Sequence, residues 1–281
     1  MRFKQSIFLA IGCAAAIAAF AEDPATPAAL SETPAAVQKT IQARVGDGKL
    51  GDIDKISENG GIVYEVGLTA KDGQDRDFTV AEDGTLSSAQ VTLAETPAAV
   101  QKSIQTLAKT GAVERIDQSL DDPEITYDIG LTTKDGLEKG FTLDAEGVLL
   151  SMEVTLAEMP AAAQQTVQTE VADGTVKSIS KMFDAGGITY DVEATAKGGR
   201  EKAFTVAESG KVVSQRITVH ETPPAVRRTI RARIAGGKIL RIDRTLTEDT
   251  GGMAYEVQGR KDGKAFDFSV GPNGRFLGMD N

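Results

Sequence analysis

The sequence has few of the residues on which most protein chemistry depends. Among its 281 residues there is one cysteine, Cys13, one histidine, His220, and no tryptophan. That inventory leaves little material for thiol catalysis, for a soft-metal centre or for an aromatic sugar platform. Positive charge is scarce too. Lys and Arg number 31 against 41 Asp and Glu, a net charge of -10, so the phosphate attraction behind nucleic-acid binding is missing from the chain as a whole. No nucleic-acid partner is expected, and no apolar run reaches the roughly 20 residues of a transmembrane segment. What is present, 41% hydrophobic and 26% charged residues, is ordinary globular composition, enough for one large domain or several small ones.

Arg2 and Lys4 precede an apolar run from Ile7 to Phe20 that closes on Ala19-Phe20-Ala21. Residues 1–21 therefore read as a signal peptide, cleaved before Glu22, and the mature protein is expected in the periplasm or secreted. The alternative is a lipid anchor through Cys13, because Ala10-Ile11-Gly12-Cys13 loosely resembles a lipobox. Residues 22–31, rich in Ala and Pro, read as a flexible leader.

The remainder repeats itself. Glu32-Thr33-Pro34-Ala35-Ala36-Val37 returns as Glu95-Thr96-Pro97-Ala98-Ala99-Val100, and Pro34, Pro97, Pro160 and Pro223 are spaced by 63 residues. All four tyrosines, Tyr64, Tyr127, Tyr190 and Tyr255, fall at one position of the unit, the last after a two-residue insertion. Such periodicity marks a duplicated structural unit. The expected boundaries are 32–92, 93–155, 156–218 and 219–281.

Each unit should open with a helix. Thr33 is placed to cap it, Pro34 suits its first position, and Val37, Ile41 and Val45 recur at i, i+4 and i+8. Gly48, Gly111, Gly174 and Gly237 are expected to stop the helices in the left-handed conformation that glycine adopts cheaply. A strand is expected around residues 50–57. Ile62, Tyr64, Val66 and Leu68 then alternate with polar neighbours as a half-buried strand does. Lys71-Asp72-Gly73 and Asp83-Gly84 mark tight turns on either side of a strand carrying Phe78 and Val80. The fold class is thus α+β: four tandem repeats, each with one helix packed on an antiparallel sheet of about four strands. Val91-Thr92-Leu93-Ala94-Glu95-Thr96 runs from a strand into the next helix without a flexible linker, which favours copies packed against one another.

The helix start Pro34-Ala35-Ala36-Val37, Ile53 and Ile56, Tyr64-Glu65-Val66, Lys71-Asp72-Gly73, Phe78-Thr79-Val80 and Asp83-Gly84 together resemble the PepSY domain. The likeness is to the PepSY-like group related to beta-lactamase inhibitory protein, and it extends over all four units. The resemblance implies a helix on a small antiparallel sheet and a role in protein binding or peptidase inhibition. It brings no catalytic residues.

The sequence carries no recognisable catalytic pattern. His220, the sole histidine, sits where other units carry Ser31, Ala94 and Ala157 and reads as a surface substitution. Asp72, Asp75 and Asp77 are spaced like calcium ligands, yet the other units lack the trio and no bidentate Glu follows; a solvated hairpin is the simpler account. No metal site and no cofactor are expected, and the chain is read as a non-enzyme. Two features remain as candidate binding residues. Glu65, Asp128, Asp191 and Glu256 each follow a tyrosine and by alternation lie on the opposite sheet face, where they are either a partner surface or simply the wet side. Arg227, Arg228 and Arg231 belong to a fourth unit whose residues 219–281 carry 11 basic and 8 acidic groups, against 5 and 12 in residues 93–155. Contact with an anionic envelope surface is one reading of this basic end, and a solvated helix or docking onto an acidic earlier unit is the other. The expected partner is an extracytoplasmic protein, with inhibition of a peptidase or hydrolase as one form of that role. A structural or spacer component of the cell envelope is the alternative.

Overall fold

In the computed structural model of the chain, the apolar spacing of the first unit becomes helix α1 (Ala35–Val45), which buries Val37 and Ile41. The structure describes residues 23–58, 61–109, 111–120, 125–246, 252–261 and 264–279. The segment read as a signal peptide, with Cys13, lies outside the described residues. Among those described, the chain is a mixed fold of four α-helices and seventeen strands. It divides into two compact units, Met1–Met152 and Glu153–Asn281.

In the first unit α1 is preceded by strand β1 (Asp23–Pro27) and followed by β2 (Lys49–Glu58), β3 (Gly61–Thr69), β4 (Asp75–Ala81) and β5 (Leu86–Gln90). Helix α2 (Ala98–Ala108) is followed by β6 (Ala112–Ser119), β7 (Thr126–Thr132), β8 (Glu138–Asp144) and β9 (Leu149–Glu153). Each strand pairs antiparallel with the one before it, from β1 to β9. The second unit repeats the order. Helix α3 (Ala161–Val171) leads to β10 (Thr175–Asp184), β11 (Gly187–Thr195), β12 (Glu201–Ala207) and β13 (Val212–Arg216). Helix α4 (Pro224–Ile234) leads to β14 (Lys238–Leu246), β15 (Met253–Lys261), β16 (Lys264–Val270) and β17 (Phe276–Met279), again with consecutive antiparallel pairing.

Four apolar clusters, one beneath each helix, hold these layers together. Val37 and Ile41 of α1 pack with Ile53, Tyr64, Val66, Phe78 and Val80, and Val226 and Ile230 of α4 with Ile242, Tyr255, Val257, Phe268 and Val270. The tyrosines share one environment: Tyr64, Tyr127, Tyr190 and Tyr255 are 4%, 4%, 1% and 5% exposed, each in a different cluster. A fully buried Val, Ile or Phe contributes about 1.5–3 kcal/mol, so these clusters dominate local stability.

Both ends of the helices differ from expectation. The hydroxyl of Thr33 does not cap α1; it donates backwards to the Leu30 carbonyl oxygen at 2.9 Å, and Pro34 is the N-cap without a side-chain bond. Thr96 and Thr222 do the same towards Leu93 and Val219. These threonines instead tie down a 3-10 turn before each helix, and Met159, the departure at this position, is buried as a core residue. At the other end, the positive-φ positions are Gly46, Lys109, Ala172, Ala235 and Gly236, not the expected Gly48, Gly111, Gly174 and Gly237. The regularly spaced glycines are required by close approach. A Cβ on Gly48 would lie 2.7 Å from the Thr69 carbonyl oxygen, and one on Gly174 would lie 2.2 Å from that of Thr195.

The stretch read as a flexible leader also carries order. β1 lies along β2 with Thr26 opposite Lys55 and Pro27 opposite Asp54, and Leu30–Glu32 forms a 3-10 turn.

Candidate functional site

Strand alternation sends the tyrosines under the helices and their following acids to the other face. In β3 the burial of Tyr64 and Val66 on either side of exposed Glu65 shows this directly. The acids stand in rows with hydroxyls. Glu65, Thr79 and Ser88 are opposite one another on β3, β4 and β5, and Asp128, Thr142 and Ser151 are so placed on β7, β8 and β9. The second unit has Asp191, Thr205 and Ser214 on β11, β12 and β13, then Glu256, Ser269 and Gly278 on β15, β16 and β17.

Two of these rows are hydrogen-bonded relays. The Ser151 hydroxyl donates to Thr142 Oγ1 at 3.0 Å, and Thr142 donates to Asp128 Oδ1 at 2.7 Å. Thr142 and Ser151 are 0% and 1% exposed, so this part of the face is not the wet side of a sheet. Burial pushes the Asp128 carboxyl up to about 7, the bond from Thr142 opposing the shift and the charge of Asp117 adding to it. In the second unit Ser214 donates to Thr205 at 3.1 Å and Thr205 to Asp191 Oδ1 at 2.6 Å, and burial likewise raises Asp191.

Between Glu65 and Asp128 lies a charge cluster that sequence reasoning missed. Arg115 of β6 forks onto Asp77 of β4, with one bond at 2.7 Å, and its Nε donates to Asp117 at 2.5 Å. Burial works against the Arg115 charge, but its bonds to Asp77 and Asp117 outweigh that and hold its pKa above the ordinary value. Burial raises Asp117, which Arg115 offsets only in part, and it raises Glu65 together with the charges of Asp77, Asp54 and Asp117. The first unit thus gathers Glu65, Asp77, Arg115, Asp117 and Asp128 on one sheet face. The signal was present in the sequence: Thr79, Thr142 and Thr205, and Ser88, Ser151 and Ser214, recur at 63-residue spacing beside the acids. In the second unit Arg241 pairs with Asp243, and Arg244 donates to the Gln215 side-chain oxygen at 2.5 Å.

The three arginines of α4 are not alike. Arg227 directs its guanidinium at the carbonyl oxygens of Val219, His220 and Thr222. Gln38, Gln101 and Gln164 occupy the equivalent positions and donate to Thr33, Thr96 and Met159 at 2.8 Å. Arg227 therefore braces the turn before the helix, whereas Arg228 and Arg231 are exposed. His220 is exposed in that turn. The hairpin acids have separate tasks: Asp72 accepts from the Gln74 amide and from Arg76, Asp75 from Thr69, and Asp77 from Arg115. Among the described residues no group of His, Cys, Asp and Glu could hold a metal ion, and no helix is long and apolar enough to cross a membrane.

No family model matches the chain, and no curated protein matches it. Solved structures do. A BLIP-like protein from Bacteroides fragilis is similar at 16% identity, over 43% of this chain and 85% of that one, with a TM-score of 0.32. A periplasmic protein of the DUF2874 family from Bacteroides vulgatus is 16% identical over 47% of this chain and 98% of its own, at 0.31. A protein from Bacteroides thetaiotaomicron described as calcium-regulated and periplasmic is 19% identical, covering 46% and 97%, at 0.31.

Proposed function

We propose that the chain is an exported, non-catalytic array of four tandem PepSY-like modules, with boundaries at 32–92, 93–155, 156–218 and 219–281, that binds an extracytoplasmic protein. Recognition takes place on the sheet face turned away from the helices. One observation carries this reading: Glu65, Asp77, Arg115, Asp117 and Asp128 are collected on that face, with Arg115 bonded to Asp77 and Asp117, Thr142 bonded to Asp128, and the carboxyls of Asp117 and Asp128 partly removed from water. Polar groups already ordered and desolvated lower the cost of association and give it charge specificity. The resemblance of the repeated motif to inhibitor-related PepSY-like domains points the same way, and inhibition of a bound peptidase or hydrolase is one form the binding would take.

The test compares two faces of the same protein. The full chain is used to capture partners from its native extracytoplasmic fraction, beside Glu65→Lys on the sheet face and Lys39→Glu on exposed α1. A stoichiometric partner lost with Glu65→Lys and kept with Lys39→Glu is expected. Equal retention by both variants, or fractionation with the envelope without any stoichiometric protein, would sink the reading and leave the spacer role in its place.

A further inference from the structure

We infer that the exposed side of α4, together with the turn between β16 and β17, is a docking surface for the anionic headgroups of a phospholipid membrane. The argument starts from a comparison inside the second unit. Helices α3 and α4 hold the same place in the order of elements, each followed by four strands. They differ in charge: Gln165, Gln168 and Glu170 of α3 become Arg228, Arg231 and Arg233 of α4. All three arginines are exposed. Since α3 packs on its sheet without them, the fold does not require arginine at these positions.

Their charge is not compensated locally. Residues 222–242 contain no Asp or Glu, and among the described residues none of the three arginines enters an ion pair. Glu221, the acid just before the helix, is taken by the Thr218 amide and hydroxyl at 2.8 and 2.9 Å and by Arg200 at 3.2 Å. The basic patch continues onto the neighbouring turn. Thr229 holds that turn against α4 by donating to the Gly274 carbonyl oxygen at 2.6 Å. There Arg275 is exposed, and Asn273 stands where the first repeat has Asp83. Arg233 lies over the Phe276 ring, 3.7 Å from its centre, so it is ordered by an aromatic face rather than by a carboxylate.

The occupant follows from the make-up of this surface. The exposed residues of α4 are Pro224, Arg228, Arg231, Ala232 and Arg233. None is aromatic or a large apolar side chain of the kind that anchors the centre of a protein interface. A phosphate asks only for donors and positive charge, and the guanidinium fork supplies both. The chain as a whole has a net charge of -10, which opposes approach to an anionic bilayer from a distance. In physiological salt, however, screening acts within about 8 Å, so the local patch decides the outcome at contact. The surface belongs to the second unit and uses none of the carboxylates gathered in the first, so it stands independently of the protein-binding site.

Co-sedimentation with vesicles reads the contact, using the chain from Glu22, the form expected after export. Binding is expected to vesicles of phosphatidylglycerol and phosphatidylcholine in equal parts, and none to phosphatidylcholine alone. It should be lost in about 1 M salt, where the screening length falls to about 3 Å. Arg228→Gln with Arg231→Gln should weaken it about thirtyfold. Glutamine is what α3 carries at both positions, so the helix is kept. Lys39→Gln with Lys102→Gln removes the same charge from exposed positions of α1 and α2 and should change binding by no more than about twofold. Absence of binding to the mixed vesicles, equal weakening by the two double variants, or binding of polyglutamate in place of the vesicles would each overturn the inference. The last result would assign the arginines to an acidic protein.

Discussion

The Thr40 hydroxyl donates to the carbonyl oxygen of Gly84, 44 residues away, at 2.6 Å. It locks α1 onto the turn between β4 and β5. Ser103 and Gly147, Thr166 and Gly210, and Thr229 and Gly274 make the same bond under the other helices. The contact requires glycine on two grounds: Gly84 has φ of +91°, and a Cβ there would lie 2.7 Å from that of Ala36. Thr40→Val is expected to cost about 1 kcal/mol, the net value of a hydrogen bond. Gly84→Ala should cost about 2–4 kcal/mol, from left-handed strain and overpacking together. Urea denaturation of both variants checks the order.

The helix ends give a pair of opposite predictions. Ala172 holds φ of +49° with no Cβ-free residue to relieve it, so Ala172→Gly should stabilise by about 0.5–1 kcal/mol. Gly174→Ala, two residues on, should destabilise strongly, because its Cβ would meet the Thr195 carbonyl oxygen at 2.2 Å. Thermal melts that shifted in the same direction for both would contradict the account of these positions.

These ends also show what a sequence can and cannot reveal. The 63-residue recurrence of Pro34, Tyr64 and Gly84 was legible, and with it the helix, the buried tyrosine and the turn. Recurrence of Gly48 was legible as well, but its cause was not: a left-handed cap and a tight approach to a neighbouring carbonyl leave the same mark on a sequence. The acids at 65, 128 and 191 could be assigned to the outer face by alternation alone. That Arg115 joins Asp77 to Asp117 depends on the pairing of β5 with β6, a contact across the α2 segment that no local pattern encodes.

By sequence Arg227 belongs with Arg228 and Arg231 to a basic surface, yet its guanidinium meets three backbone carbonyls. Arg227→Gln should be nearly neutral, within about 0.5 kcal/mol, because Gln38 and Gln101 do the same work. Arg227→Ala should cost about 1 kcal/mol by removing the donor to the His220 and Thr222 carbonyls, while Val219 keeps the bond from the Thr222 hydroxyl. Arg228→Ala, at an exposed position, should leave the melting temperature unchanged.

Asp128 makes stability depend on pH in a direction opposite to that of an ordinary paired carboxylate. Its folded pKa of about 7 lies above the reference value of 3.8, so between those values the folded state binds the proton that the unfolded chain has released. Its contribution is therefore greatest in acid and is lost as pH rises towards 7, at about 1.4 kcal/mol per pH unit crossed. Asp128→Asn removes this slope. The stability of the variant relative to the parent should rise from pH 4 to pH 7, and the Asp128 carboxyl resonance should titrate near neutrality rather than near 4.

Arg115 tests the same face from the side of the cation. It is the shared partner of Asp77 and Asp117, and its charge also draws down the raised carboxyl of Glu65. Removing one member of a partly buried ion cluster leaves the others uncompensated, a loss of about 3–5 kcal/mol for a fully buried pair and less at this depth. Arg115→Met keeps the apolar stem and deletes only the charge. The carboxyls it leaves behind should take up protons at higher pH, which neutralises them and recovers part of the lost stability. The penalty should therefore be largest at pH 8 and shrink as the solution is acidified towards pH 5. A penalty independent of pH would mean that Arg115 acts through packing of its methylenes rather than as the counter-charge of the cluster.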